Sequence, residues 1–414
     1  MRLFLLLSLL GTVFAQGQIL RLQDAIERTL QNHPDMKSFA LKQQQANAQY
    51  DSTFSAYLPQ VNTQGNYNAL QTYVFPANGT FNTLDDDGWS AGVSLHQKVY
   101  DFEKTSSLVK ISAIEEDIAK LSLEDFKRYL TSRVKSLYKL MIVYSKAIEV
   151  RKRDLELKQA YHKQSLALVK QGLKTSADAT RFLSAVYVAE ENLAIAKASY
   201  DKTKHTLSLY MGTTLDENLE LENQLLQKSA PAVFSQKSIL DDNYQLAIYE
   251  KNIAKSIMAE RSTYATHFGS IDLQGSYTHV NALNSYDAKV LGVSINIPLY
   301  SGGGVDAEVQ KARLQIQVDR QNKAAKTLAL KEEIETLLID LNKYEKTIEA
   351  RKLQNKAAKQ TLKVLQGRYI EGLATYIEVL DATTLELSSQ LGLLEAYYQR
   401  GAIIDKLNYL KGKM

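Results

Sequence analysis

The chain has 414 residues, 23% of them charged, a formal net charge of +4 and no cysteine. Because 50 basic residues nearly balance 46 acidic ones, the charge gives no reason to expect nucleic-acid binding. The absence of cysteine excludes disulfides, thiol catalysis and cysteine-ligated zinc sites. A mean hydropathy of -0.27 excludes a bundle of membrane helices.

The first 15 residues have the composition of a signal peptide. Arg2 provides the positive charge, residues 3–10 an apolar core (LFLLLSLL), and residues 13–15 a small-residue cleavage site (VFA). The mature chain is then expected to begin near Gln16. An N-terminal membrane anchor is the alternative, but the apolar run is shorter than the ~20 residues that a spanning helix needs.

The remaining chain is a tandem duplication. Residues 172–175 (GLKT) recur as 372–375 (GLAT), at a shift of 200, and residues 64–67 (QGNY) match 274–277 (QGSY), at a shift of 210. Ordered matches at fixed shifts indicate two structural repeats. We place a signal peptide, a first repeat, a linker and a second repeat at residues 1–15, 16–215, 216–237 and 238–414.

The change of shift marks an insertion of ten residues between Tyr67 and Gly92 in the first repeat. The inserted region contains Pro76, Asn78-Gly79 and residues 85–88 (DDDG). Because this composition is typical of turns, it predicts a loop there.

Each repeat predicts a helix, two strands and two very long helices. Good helix formers dominate the proline-free stretches between residues 77 and 230 and after Pro298. Glycine is expected just past a helix end, so Gly172, Gly212, Gly372 and Gly412 mark predicted ends. Apolar residues recur at alternating steps of four and three, which is typical of coiled-coil packing. They are Leu130, Val134, Leu137, Met141, Tyr144 and Ile148, and in the second repeat Leu330, Ile334, Leu337, Leu341, Tyr344 and Ile348.

Four predicted strands alternate apolar and polar residues, as the strands of a transmembrane β-barrel do. A half-buried sheet on a soluble domain is the alternative, but the neighbouring helices are too long and too evenly charged to cover it. In lipid every backbone group must be paired, so a sheet of four strands has to be completed by other chains. Two chains would give eight strands and almost no lumen, whereas three give twelve and leave a passage, so a trimer is expected. The polar face then lines a lumen and includes Asn62, Gln64, Ser94 and Asp272.

The sequence resembles the TolC family of trimeric outer-membrane channel-tunnels over essentially the whole mature chain. The residues that carry the resemblance are LRLQDAIERTLQNHPDM (20–36), AYLPQV (56–61), VYD (99–101), PLYSGG (298–303), GLATYIEVLDATT (372–384) and GLKTSADATRFLSA (172–185). The resemblance implies a mainly α fold of long coiled-coil hairpins, with four strands per chain in a shared twelve-stranded trimeric barrel. It also implies a homotrimer in the outer membrane of a Gram-negative bacterium, extending into the periplasm. The implied partners are outer-membrane lipid, a periplasmic adaptor protein and, through the adaptor, an inner-membrane pump.

The resemblance implies two sets of site residues. The adaptor-contacting tips map onto Gly172, Leu173, Thr175, Gly372, Leu373 and Thr375, although these residues also suit a plain helix-to-helix turn. The periplasmic gate or constriction maps onto Asp178, Tyr369, Glu378 and Asp381, where Glu378 and Asp381 are alternatively ordinary solvated helix residues. The chain departs from the family at Ala374, where some members have arginine, and at Arg181, which replaces an acid and is expected to pair with a nearby carboxylate.

The sequence gives little support for catalysis. The six histidines lack the spacing of a metal site, and the glycines at 302–304 lack the lysine and hydroxyl of a phosphate-binding loop. We therefore expect no enzyme and no cofactor, but a passive exit duct for efflux of drugs or other small molecules. The alternatives are the outer-membrane component of a one-step (type I) protein secretion system and a non-conducting surface coiled coil or adhesin.

Overall fold

The main secondary-structure elements occur twice in the same order along the described chain. The computed structural model describes residues 19–77, 79–216, 219–222 and 234–413, and most of these residues are helical. The predicted mainly α fold with a small β part is therefore confirmed. The predicted signal peptide, and residues 217–218 and 223–233 of the predicted linker, lie outside the described residues. No helix in the described ranges is long and apolar enough to cross a membrane.

Each repeat contributes one broken helix, one β-hairpin and one pair of long helices. The long helices α3 and α7 have 67 residues each, as expected for two copies of one design. A pair of short strands, one of them in the predicted linker, was not foreseen. The first repeat contains β1 (Ile19–Leu20), α1 (Leu22–Asn32), α2 (Pro34–Phe54), β2 (Gln60–Ala77), β3 (Thr80–Tyr100), α3 (Lys104–Lys170) and α4 (Ser176–Met211), followed by β4 (Glu220–Leu221). The second contains α5 (Gln236–Asp241), α6 (Tyr244–Ala265), β5 (Ser270–Asn281), β6 (Ser285–Asn296), α7 (Gly304–Ile370) and α8 (Tyr376–Leu410).

The chain divides into two units, of which the first is wholly helical apart from β1 and β4. It comprises residues up to 38, 125–243 and 329 onward, as far as these are described. Tyr138 lies fully buried in its core, where the hydroxyl donates to the carbonyl of Leu20 (2.6 Å) and accepts from the amide of Glu222 (3.0 Å). Burial raises the pKa of Tyr138 to about 12. The predicted seam is buried in both copies at Leu130 and Leu330, which confirms the periodicity.

The second unit contains the four-stranded sheet, in the order β2-β3-β5-β6 with all neighbours antiparallel. The register places apolar side chains side by side, as in the row Val61, Leu95, Gly275 and Leu291. The next row has polar residues on the opposite face, including Asn62, Ser94 and Ser276. The apolar face is largely uncovered within the chain, since Val61 is 65% and Leu291 80% exposed.

The prediction of a loop at the ten-residue insertion was wrong. Residues 85–88 lie within β3 and Pro76 lies within β2, so the insertion lengthens the hairpin instead of its turn. The two strands have 18 and 21 residues, against 12 each in β5 and β6. The aspartates are tolerated in the strand because β2 offers hydroxyl donors: Tyr67 to Asp87 (3.1 Å) and Thr72 to Asp85 (2.7 Å). Pro76 is tolerated because β2 is an edge strand of the described sheet.

The two corners where a strand leads into a long helix share an unusual backbone. Gly302 and Gly303 have φ of 65° and 80°, and Phe102 and Glu103, their equivalents at a shift of 200, have φ of 52° and 72°. A non-glycine residue pays about 1–2 kcal/mol for this left-handed conformation. The Phe102 ring is held between other aromatic rings, so side-chain packing offsets the backbone strain.

Candidate functional site

The turns that join the long helices have one backbone design in both repeats. Gly172 (φ 73°) and Gly372 (φ 77°) adopt the left-handed conformation that a helix end requires. The amide of Leu173 then donates to the carbonyl of Leu168 (2.9 Å), and in the second repeat the amide of Leu373 donates to Arg368 (2.8 Å). These bonds satisfy carbonyls that the helix end leaves without a partner. The predicted turns are therefore confirmed.

Each returning helix begins with a capping box. Thr175 accepts a hydrogen bond from the amide of Asp178 (3.4 Å), whose carboxylate accepts from the Thr175 amide (3.1 Å). In the second repeat the Glu378 amide donates to the Thr375 hydroxyl (3.3 Å), and the Thr375 amide donates to the Glu378 carboxylate (2.7 Å). The amide and hydroxyl of Thr375, together with the charge of Arg368, hold the pKa of Glu378 below its usual range. Two of the predicted gate carboxylates are thus bound to their own turns within the chain.

The two turns, here called the tips (residues 172–175 and 372–375), present small and apolar groups to solvent. Leu173 is 65% and Leu373 63% exposed. A Cβ placed on Gly172 or Gly372 would meet no atom within 4 Å in the described residues. The tips therefore have room for another molecule to approach end-on.

The predicted gate residues do not share one environment. Tyr369 is only 1% exposed and lies in a cluster with Tyr161, Phe182, Ala374 and Val379, here called the tip cluster. Its hydroxyl finds no hydrogen-bond partner among the described residues. Burial, followed by the charge of Asp178, raises the pKa of Tyr369. Glu378 and Asp381, by contrast, are exposed.

The tip cluster joins the two helical hairpins, and sequence reasoning missed most of it. Phe182, from α4 of the first hairpin, meets Tyr369 and Tyr376 of the second in edge-on contacts, with ring centroids 6.0 and 6.1 Å apart. Its only signal in the sequence was a group of aromatic residues close to each tip. Ala374 is buried in this cluster, so the position where some family members carry arginine here contributes a methyl group.

Two cations of the first hairpin lie over rings of the second. Lys174 Nζ is 5.7 Å from the centroid of Tyr369, and the Arg181 guanidinium is 5.2 Å from that of Tyr376. Both distances are within the ~6 Å range of a cation–π contact. The expectation that Arg181 pairs with a carboxylate was wrong, because the Tyr376 ring is its partner among the described residues.

The described part of the chain contains no group of three or more His, Asp or Glu side chains arranged to hold a metal ion. The carboxylates of Asp178 and Glu378, three residues past the tips, are instead bound in the caps of α4 and α8. The site is therefore formed by two glycine turns and by the capped ends of the helices that they join.

Comparison with known proteins identifies the family. The sequence model of the outer membrane efflux protein family matches residues 25–213 and 237–412. The chain is 21% identical to the outer membrane protein TolC of Vibrio cholerae over 411 residues, which cover 94% of this chain and 90% of that protein. It superimposes on the transmembrane channel CusC with a TM-score of 0.84 and 18% identity, over 96% of this chain and 93% of that one. It superimposes on the outer membrane protein VceC of Vibrio cholerae with a TM-score of 0.83 and 15% identity, over 95% of this chain and 96% of that one. The chain therefore belongs to the outer membrane efflux protein family and is an outer-membrane efflux channel related to TolC.

Proposed function

We propose that the chain acts as a homotrimer in which twelve strands close one barrel and the long helices form a passive duct. The observation that carries the proposal is the four-stranded sheet with an exposed apolar face and two unpaired edges, β2 and β6. In lipid such edges are costly unless they pair with neighbouring strands. Twelve strands leave space for a lumen, and the row containing Asn62 and Ser94 gives it a polar lining.

The tips are the proposed contact with a periplasmic adaptor, and through it with an inner-membrane pump. Exposed Leu173 and Leu373 offer apolar contacts, and the open space around Gly172 and Gly372 permits close backbone approach. In this assembly the partner supplies energy and direction. The channel itself catalyses no reaction, and its cargo is drugs or other small molecules.

The proposed gate lies at the end of the duct that the tips form. Threefold symmetry would bring three copies of exposed Glu378 and Asp381 around one axis, and a ring of carboxylates favours cations over anions. The tip cluster supports the closed arrangement, because it fastens the hairpin that carries these carboxylates to the other hairpin of the same chain.

Conductance across a planar bilayer tests the duct and the ring separately. We expect the purified wild-type protein to conduct with a preference for cations, and Asp381→Ala and Glu378→Ala to weaken that preference. Asp201→Ala, an exposed carboxylate on α4 outside both tips, is the matched control. Cation selectivity that is unchanged in both Asp381→Ala and Glu378→Ala would refute the ring of carboxylates. A folded, membrane-inserted protein without conductance would refute the duct and favour a non-conducting coiled coil.

The assembly has its own test. Light scattering of the detergent-solubilised protein should give the mass of three chains. A folded single chain that remains in solution without detergent would contradict the shared barrel.

A further inference from the structure

An open cleft lies at the corner where β3 leads into α3, within the second unit. Its volume is about 420 Å³. It is here called the corner cleft, and its principal side chains are Tyr100, Phe102, Tyr264, Phe268, Arg261 and Arg313. Neither the tips nor the gate uses these residues.

One wall of the corner cleft is aromatic. The ring centroid of Phe102 lies 4.9 Å from that of Tyr100 and 5.2 Å from that of Phe268, and Phe268 lies 5.6 Å from Tyr264. Tyr100 stands opposite Ile271 in the register, and Ile271 belongs to the apolar face of the sheet. The aromatic wall therefore continues the surface that we assign to lipid, at the end of the sheet where the helices begin.

Among the described residues, one cation and one anion of the corner cleft have no side-chain partner. Arg313 is paired with Glu260 through Nε and Oε1 (3.1 Å). Arg261 and Glu103, which also line the cleft, make no side-chain ion pair or hydrogen bond with the described residues. A guanidinium binds phosphate well and a carboxylate binds an ammonium group. The free pair thus matches a headgroup that carries both charges.

The backbone at the corner cleft is retained at the cost of strain. Phe102 and Glu103 have positive φ, whereas the second repeat has Gly302 and Gly303 at the equivalent positions. Strained non-glycine residues concentrate at functional sites. Here the strained pair supplies one ring of the aromatic wall and the free carboxylate, which glycines could not provide.

We propose that the corner cleft binds a zwitterionic glycerophospholipid, of the phosphatidylethanolamine type, from the periplasm-facing leaflet. Arg261 binds the phosphate, Glu103 binds the ammonium group, and the aromatic wall contacts the glycerol and the first carbons of the acyl chains. The proposal rests on the orientation given above, with the sheet in the membrane and the helices in the periplasm.

The test is native mass spectrometry of the detergent-solubilised protein titrated with phosphatidylethanolamine. We expect Arg261→Gln to weaken lipid binding at least about tenfold, as expected for loss of one charge-assisted hydrogen-bonded contact. Phe102→Gly should weaken it similarly while keeping the backbone, because glycine already serves at position 302. Arg320→Gln, an exposed arginine on the helix that carries Arg313, is the matched control and should bind as the wild type does.

Three results would overturn the proposal. They are wild-type protein that binds no lipid, variants at Arg261 and Phe102 that bind as tightly as the control, and displacement of the lipid by an equal concentration of inorganic phosphate. The last would make the cleft a simple anion site. Conductance of the same preparations separates this inference from the proposed function. A trimer that conducts but shows any of these three results refutes only the lipid site. A wild-type protein that does not conduct refutes the duct.

Discussion

Removing the contact between Arg181 and Tyr376 tests how the two hairpins are held together near the tips. Arg181→Met removes the guanidinium but keeps a flexible apolar stem of similar reach. The wild-type guanidinium lies 5.2 Å from the ring centroid, and its side chain is exposed. At exposed sites a cation–π contact stabilises by about 0.5–1 kcal/mol.

The assembly multiplies this small energy. If opening separates the hairpins in all three protomers together, the loss amounts to about 1.5–3 kcal/mol. Because 1.4 kcal/mol is tenfold in an equilibrium constant, the ratio of open to closed channels should rise between about tenfold and a hundredfold or more.

Single-channel recording in planar bilayers measures that ratio directly. Tyr376→Leu should raise it by at least this factor, because it also removes the edge-on contact with Phe182. The double variant should add little to Tyr376→Leu alone, because the ring that Arg181 contacts is already absent. Lys202→Met, an exposed cation further along α4, is the control. An open fraction for Arg181→Met equal to that of the control, or full additivity with Tyr376→Leu, would show that the contact does not oppose opening.

Four further predictions concern the stability of the fold and of the trimer. Thr375→Ala should speed hydrogen exchange in the first turn of α8, for a loss of about 1 kcal/mol. Because the pKa of Glu378 is lowered in the fold, its bond to the cap is present above the usual glutamate pKa and is lost as the pH falls through the depressed value. The protection factor of the same amides, which corrects the exchange rate for its intrinsic pH dependence, should therefore fall in acid. A protection factor that does not change with pH would contradict the cap. Asp405→Asn should cost about 3–5 kcal/mol by leaving the Lys139 ammonium buried without its 2.6 Å partner, whereas Lys139→Met with Asp405→Leu should restore thermal stability. Gly269→Ala should prevent assembly of the sheet, seen as loss of the trimer in light scattering, because a Cβ there would lie 1.8 Å from a backbone carbonyl oxygen.

The backbone of the tips was predictable because local chemistry determines it. Glycine permits the left-handed residue, and a threonine followed three residues later by an acid is the signature of a capping box. The resemblance assigns Thr175 and Thr375 to docking and Asp178 and Glu378 to gating, and the structure gives the same four residues a capping role as well. The capping role was legible from spacing alone.

The tip cluster and the long first hairpin were not predictable in the same way. Whether Phe182 meets Tyr369 depends on which faces of four helices come together, and the periodicity of one helix does not give that. Residues 85–88 have turn composition, yet cross-strand hydroxyls keep them in a strand. In both cases partners distant in sequence override the local preference.

The duplication explains why one backbone serves two tasks. The turn glycines and the capping threonines are the same in both copies, and the capping acid is Asp178 in one and Glu378 in the other, so both hairpins turn alike. The side chains around the turns differ: Phe182 corresponds to Ala382, and Arg181 to Asp381, at a shift of 200. Two identical hairpins would set like charges and equally bulky rings against one another. In this chain the first hairpin supplies Lys174, Arg181 and Phe182 to the contact, and the second supplies Tyr369, Tyr376 and the small side chain of Ala374. The positions at which the two repeats differ in sequence therefore provide the contact between the hairpins.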